Sequence, residues 1–148
     1  MTIDPRTRYL ADAVQTATPA RRIVMLFDRL WLDVQRGQTA LAAADVQVAR
    51  DNVQHAQAIV SELLGSLDLD TWDGAGNLAG IYVYLINEMT AAIVEPVAGR
   101  LDTCVKIITQ LREAWQQAEQ AIATQAAAET TSTAPVTPGT TRSMAWVG

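Results

Sequence analysis

The sequence predicts an all-α fold, an antiparallel four-helix bundle with a short N-terminal arm and a disordered C-terminal tail. In four successive segments, apolar residues recur at intervals of three and four, which is typical of helices with one buried face. Short polar or proline-containing links separate these segments, and helix-forming Ala, Leu and Gln are abundant whereas Phe occurs once. Four such helices with short links pack most simply as an antiparallel bundle.

Composition divides the 148 residues into three parts. Residues 1–17 are a mixed polar arm, residues 18–125 the helical bundle domain, and residues 126–148 a tail rich in Thr and Pro. The tail holds six threonines and two prolines between residues 130 and 141, without a charge, and cannot bury enough apolar surface to offset the entropy of ordering. Residues 144–147 are interpreted as a loose terminus, with a short docking motif as the alternative.

The first two helices have clear N-terminal signals. Thr18 before Pro19 is typical of an N-cap followed by the first helical residue, so the first helix should span about residues 19–43. Asp45 is the expected N-cap of the second helix, which ends near Gly65. The predicted core residues are Ile23, Leu26, Phe27, Leu30, Trp31 and Val34, then Ala49, Val53, Ala56, Val60, Leu63 and Leu67.

The last two helices follow a loop at residues 66–76. Asp73 is the expected N-cap of the third helix, and Pro96 is expected at the first position of the fourth. The predicted core residues are Leu78, Ile81, Tyr82, Leu85, Met89 and Ala92, then Val97, Leu101, Cys104, Ile108, Leu111, Trp115, Ala118 and Ile122.

Charge and cysteine content exclude several kinds of site. The net charge is −5, and the eleven basic residues form no cluster, which argues against nucleic acid or an anionic membrane surface as a partner. Cys104 is the only cysteine, which excludes an intrachain disulfide and multi-cysteine zinc sites. Because neither a secretory signal nor an uncharged apolar run of about 18 residues occurs, we expect a cytoplasmic protein without membrane insertion.

Two features resemble enzyme motifs but lack the necessary context. His55 is the only histidine, which excludes the paired Glu-x-x-His units of a di-iron bundle. A phosphotransfer bundle using His55 is an alternative to a plain surface histidine, although no lysine lies nearby to assist a phosphate. Residues 74–79 (GAGNLA) fit a loose dinucleotide-binding pattern but follow no buried strand, so an interhelical loop is the preferred interpretation. We therefore predict a binding protein without cofactor, metal or catalytic residues.

Apolar residues remain outside the four core stripes. At about 100° per residue, they fall opposite or beside the stripe of their own helix. They are Met25, Leu32, Val48, Ile59, Val83, Tyr84, Val94 and Ile107. Several such residues on more than one helix predict a surface that another chain covers. That chain is either an amphipathic segment of a partner or a second copy in a homodimer.

An ordered series of motifs resembles the FliS-type flagellin export chaperones. Five segments are similar to the family's TASP, ML[YF]D, AQxIIxEL, LYDYM and LREAW motifs: residues 16–19 (TATP), 24–28 (VMLFD), 56–63 (AQAIVSEL), 81–85 (IYVYL) and 111–115 (LREAW). The chain departs from the family pattern at Arg29, Val83 and Ile93, where the family has Gly, Asp and Asn.

The resemblance implies a chaperone that binds the disordered C-terminal segment of flagellin in the cytoplasm. It also implies that the chaperone prevents premature polymerisation and presents flagellin to the flagellar export gate protein. The client segment would fold as helices on the apolar surface, so part of the interaction energy orders the client.

The resemblance further places the N-terminal arm near the client site, with Tyr9 as the counterpart of a family tyrosine. We hypothesise that Tyr9, Leu10 and Val14 pack over the groove when no client is bound. Amide exchange in residues 9–17 of the free and client-bound protein tests this, and unchanged protection would count against it. The full predicted partner-binding set is Tyr9, Leu10, Val14, Met25, Leu32, Ile59, Val83, Tyr84 and Ile107.

Overall fold

The computed structural model describes residues 18–70 and 73–136, and within them it contains four α-helices and no strand. The helices are α1 (Pro19–Ala42), α2 (Val46–Gly65), α3 (Ala75–Val94) and α4 (Asp102–Val136). The predicted all-α fold class is confirmed. The N-terminal arm, with Tyr9, Leu10 and Val14, and residues 137–148 lie outside the described residues.

The N-termini of α1 and α2 are capped as predicted. The Thr18 hydroxyl accepts a hydrogen bond from the Arg21 N–H at 3.1 Å, and the Asp45 carboxylate accepts one from the Val48 N–H at 3.3 Å. Each bond satisfies a backbone donor that the first helical turn leaves unpaired. The two caps therefore fix where the first two helices begin.

The predicted starts of α3 and α4 were wrong. Gly74, rather than Asp73, is the N-cap of α3, and it makes no side-chain capping bond. Pro96 is not at the start of α4, because the chain forms turns at residues 98–101 and the helix begins at Asp102. Gly99 has φ +86°, a left-handed conformation that no α-helix contains, so α4 can start only beyond it.

A continuous core joins the four helices. Most predicted core residues are buried, and Val24, Ala40, Leu41 and Ala75 are buried in addition. The predicted members that remain half-buried at the edge of the core are Ile23, Leu26, Trp31, Leu67, Leu111 and Trp115. The predicted members that are exposed are Ile81, Val97, Ala118 and Ile122. Val97 lies in the link before α4, and Ile81 faces a gap between two helices.

α4 extends beyond the other three helices of the bundle. Its backbone stays helical to Val136, past the predicted domain boundary at residue 125. All residues from 120 to 130 are exposed, because no other described helix reaches this part of α4. For this reason Ala118 and Ile122 continue the apolar stripe in sequence without being buried.

α1 and α4 form an antiparallel pair in a constant register. Polar side chains join them along their whole contact. From one joined pair to the next, the residue number in α1 rises by as much as the residue number in α4 falls. The joined pairs are Arg21–Glu119 at 3.1 Å, Asp28–Arg112 at 2.8 Å, Trp31–Thr109 at 3.1 Å and Gln38–Asp102 at 2.7 Å. The Arg112 guanidinium also lies 4.7 Å from the centre of the Trp31 ring, within the range of a cation–π contact.

α1 and α2 are joined by a buried carboxylate. Asp33 is the only buried charged side chain among the described residues. Its carboxylate contacts His55 Nδ1 of α2 and pairs with Arg29 Nε at 3.1 Å. His55 thus takes part in the contact between α1 and α2, while about half of its side chain stays exposed.

The fourth side of the bundle is open. α1 packs closely against α2 and α4, and α2 packs closely against α3, but α3 and α4 barely touch. Gln57 of α2 secures α3 by donating hydrogen bonds to the Thr90 hydroxyl at 2.8 Å and to the Ile86 carbonyl at 3.2 Å. α3 is therefore attached mainly through α2.

α3 is long and apolar enough to cross a membrane by length and composition. Because Glu88 interrupts the segment, it is not an uncharged apolar run of about 18 residues. Leu85 and Met89, on its inner stripe, are fully buried in the bundle core. The composition of α3 therefore reflects a core stripe combined with an unusually apolar outer side.

Gly37 of α1 lies in a tightly packed part of the bundle, against α2 and the residue that precedes α4. A Cβ atom at Gly37 would lie 3.0 Å from Leu101 Cδ1 and 3.3 Å from Val53 Cγ2. We expect Gly37→Val to lower the free energy of unfolding by about 2 kcal/mol, because the added methyls would overpack α1 against α2 and α4. Urea unfolding measures the change.

The matched control is Gly65→Ala at the end of α2, where an added Cβ meets no atom within 4 Å. It should leave the unfolding free energy unchanged or slightly higher. If Gly37→Val were as stable as the wild type, the packing around this position would not depend on glycine.

Candidate partner-binding site

The gap between α3 and α4 forms an open groove of about 370 Å³. It exists because α3 and α4 do not pack closely against each other. The groove is lined by Ile81, Tyr84, Ile107 and Leu111, together with Asn77, Gly80 and Gln110. No lining residue is charged, so the groove suits an apolar polypeptide surface rather than an ionic ligand.

Each wall of the groove comes from positions one helical turn apart. Asn77, Gly80, Ile81 and Tyr84 follow the i, i+3, i+4, i+7 spacing of one helix face. Ile81 is 36% exposed and Tyr84 is 41% exposed, which is high for large apolar side chains on a small bundle. Their free surface is available to a partner.

Glu88 lies one turn further along α3 from Tyr84. Hydrogen bonding to its carboxylate is the main cause that raises the pKa of Tyr84, with smaller contributions from burial and from the negative charge of Glu88. The carboxylate thus favours the neutral phenol.

The apolar surface continues outside the groove on α3. Val83 is 46% exposed and Val94 is 78% exposed. Neither residue lines the groove, yet both lie on the helix that forms one of its walls. The outer side of α3 thus offers additional apolar area next to the cavity.

The structure brings together only part of the predicted site. Tyr84 and Ile107 face each other across the groove. Val83 lies beside it, whereas Met25 and Leu32 are half-buried on α1, which is not adjacent to α3. Ile59 is buried at 6% exposure, so its predicted position on an accessible surface was wrong. α2 packs against both α1 and α3, and Ile59 is covered although it lies beside the α2 stripe.

Sequence reasoning missed Asn77, Gly80 and Gln110, and it assigned Ile81 and Leu111 to the core. A second stripe on α3, offset from the buried one, was the available signal. Whether such a stripe lies in the core or lines a groove depends on the distance between α3 and α4. Helical periodicity contains no information about that distance.

The buried thiol and phenol of the described core show no sign of catalytic activation. Burial raises the pKa of Cys104 to about 11 and that of Tyr82 to about 12. A nucleophilic cysteine needs the opposite shift. Cys104, which was predicted as a core residue, is therefore a buried, neutral thiol.

Comparisons with known proteins identify a consistent set of relatives. The family model described as "Flagellar protein FliS" matches residues 2–122. "Flagellar secretion chaperone FliS" of Bacillus subtilis (strain 168) is 26% identical over 117 residues, which are 79% of this chain and 87% of that protein. A structure described as "Crystal structure of flagellar chaperone from bacteria" superposes with a TM-score of 0.64 at 17% identity, covering 79% of this chain and 99% of the other. The last comparison shows a shared fold.

The effect of Glu88 on the pKa of Tyr84 can be tested by spectrophotometric titration of the phenols. We expect Glu88→Gln to move one tyrosine transition to lower pH, because the variant lacks the carboxylate that favours the neutral phenol. Tyr84→Phe, which removes the same transition, identifies the residue. If the titration curve of Glu88→Gln coincided with that of the wild type, Glu88 would have no effect on Tyr84 in solution.

Proposed function

We propose that this chain, which belongs to the FliS family of flagellar secretion chaperones, has flagellin as its client. Membership in this family makes it a cytoplasmic, non-enzymatic chaperone, and phosphotransfer through His55 is therefore set aside. In the proposed function it binds the disordered C-terminal segment of flagellin, prevents premature polymerisation and delivers the client to the flagellar export gate protein.

The open groove between α3 and α4 is the observation that supports this proposal most. Three of the four neighbouring helix pairs of the bundle pack closely, and the fourth does not. An amphipathic helix lying between α3 and α4 would bury Ile81, Tyr84, Ile107 and Leu111 in the way that a neighbouring helix covers a core stripe. The client then supplies the packing that the fold itself lacks.

Coupling of binding and folding explains why such a complex can be both specific and reversible. A disordered client must lose conformational entropy when it becomes helical, and this cost offsets part of the gain from apolar burial. The affinity is consequently moderate for the area that is buried. Release at the export gate requires no covalent step.

The N-terminal arm belongs to the same proposal. Tyr9, Leu10 and Val14 would cover apolar surface until a client displaces them. The arm joins α1 at Thr18, at the end of the bundle where α3 begins, which is compatible with a position near the groove. The location of the arm stays a prediction.

Titration with a peptide of roughly the last forty residues of flagellin, a length sufficient to span the bundle as helices, tests the groove. We expect Tyr84→Asp to weaken binding by at least about tenfold, because it places a charge against an apolar client face. Val83→Asp, on the same helix beside the groove, should weaken binding to a smaller extent. Isothermal calorimetry measures both affinities, and circular dichroism confirms unchanged helicity.

Val46→Asp is the matched control, since Val46 has a similar exposure of 40% and lies at the start of α2, outside the groove. Its affinity should equal that of the wild type. Undiminished binding by Tyr84→Asp would exclude the groove as the client site. Sedimentation of the protein alone, if it revealed a dimer that Tyr84→Asp dissociates, would instead favour a homodimer on this surface.

A further inference from the structure

Gly80 occupies an unusual position in α3. It lies within the helix Ala75–Val94, is exposed, and lines the groove between Asn77 and Tyr84. A Cβ atom at this position would meet no other atom within 4 Å. The fold therefore does not require glycine at this position for steric reasons.

Gly65 and Gly76 also have open space for a Cβ atom, but they lie at the end of α2 and at the start of α3 rather than in a helix interior. Two other glycines have structural reasons: a Cβ at Gly37 would force its neighbours to shift, and Gly99 has a left-handed backbone conformation. Gly80 has neither property, although glycine in a helix interior lowers helix stability relative to alanine. An intermolecular contact would account for a residue that the isolated fold does not favour.

We propose that Gly80 is a specificity-determining residue, at which an α-helix of the client makes its closest approach to α3. This inference rests on the proposed function, because the occupant is the apolar face of the client segment. Without a side chain at Gly80, the axes of the two helices can approach more closely than larger residues permit. The client backbone occupies the space in which a Cβ would stand.

The surroundings of Gly80 define the chemistry of the client helix. Tyr84 lies one turn further along α3, and Ile107 and Leu111 form the opposite wall. Apolar client side chains in the turns before and after the crossing point would contact these residues. No charge lines the groove, so the contacting face of the client is expected to be uncharged and to carry a small residue at the crossing point.

Two substitutions separate the effect on the fold from the effect on binding. Gly80→Ala should raise the melting temperature by roughly 3 °C, because alanine favours the helix and meets no neighbour. It should nevertheless weaken binding of the flagellin C-terminal peptide about threefold. Gly80→Leu, which fills the groove, should weaken binding by at least about tenfold without loss of helicity.

The control is Gly65→Ala, which also meets no atom within 4 Å but lies at the end of α2 outside the groove. Its peptide affinity should be that of the wild type. If both Gly80 variants fold and bind like the wild type while Tyr84→Asp does not bind, this inference is overturned and the proposed function survives. If the wild type does not bind the peptide, or Tyr84→Asp binds normally, the proposed function fails and the inference fails with it.

Discussion

The close packing of α1 against both α2 and α4 is the constraint on which the rest of the structure depends. At Gly37, α1 packs so tightly against α2 and Leu101 that an added Cβ would force its neighbours to shift, and polar pairs hold α1 and α4 in one register over several turns. α1 is thereby fixed between two neighbours. α3, which contacts α2 and hardly α4, is left at the edge of this rigid unit.

The position of α3 has an energetic consequence for the free protein. Its outer side keeps large apolar groups such as Ile81, Val83 and Tyr84 in contact with water, and each of them could be stabilised by burial. A closed bundle would achieve this burial within the chain. The observed arrangement leaves these side chains exposed, which agrees with the proposed binding of a client segment.

The geometry of the open groove does not by itself indicate a function. Membership in the flagellar secretion chaperone family relates the groove to the proposed binding of a client. The groove is lined by apolar and uncharged polar residues, as expected for a surface that binds an apolar polypeptide face. The chain also departs from the motif of its family at Val83, beside the groove. Differences at such positions can change which client is preferred without disturbing the buried stripe.

The four helices, the caps at Thr18 and Asp45, and most of the buried stripe can be predicted from the sequence, because these depend on local periodicity and on side chains that bond to the nearest backbone. Three features depend on the tertiary structure: the late start of α4 after Gly99, the burial of Ile59, and the position of Ile81 and Leu111 in a groove instead of a core. Helical periodicity shows which face of a helix is apolar. Whether that face meets a neighbour depends on the distance between helices far apart in sequence, which is set by contacts such as those around Gly37.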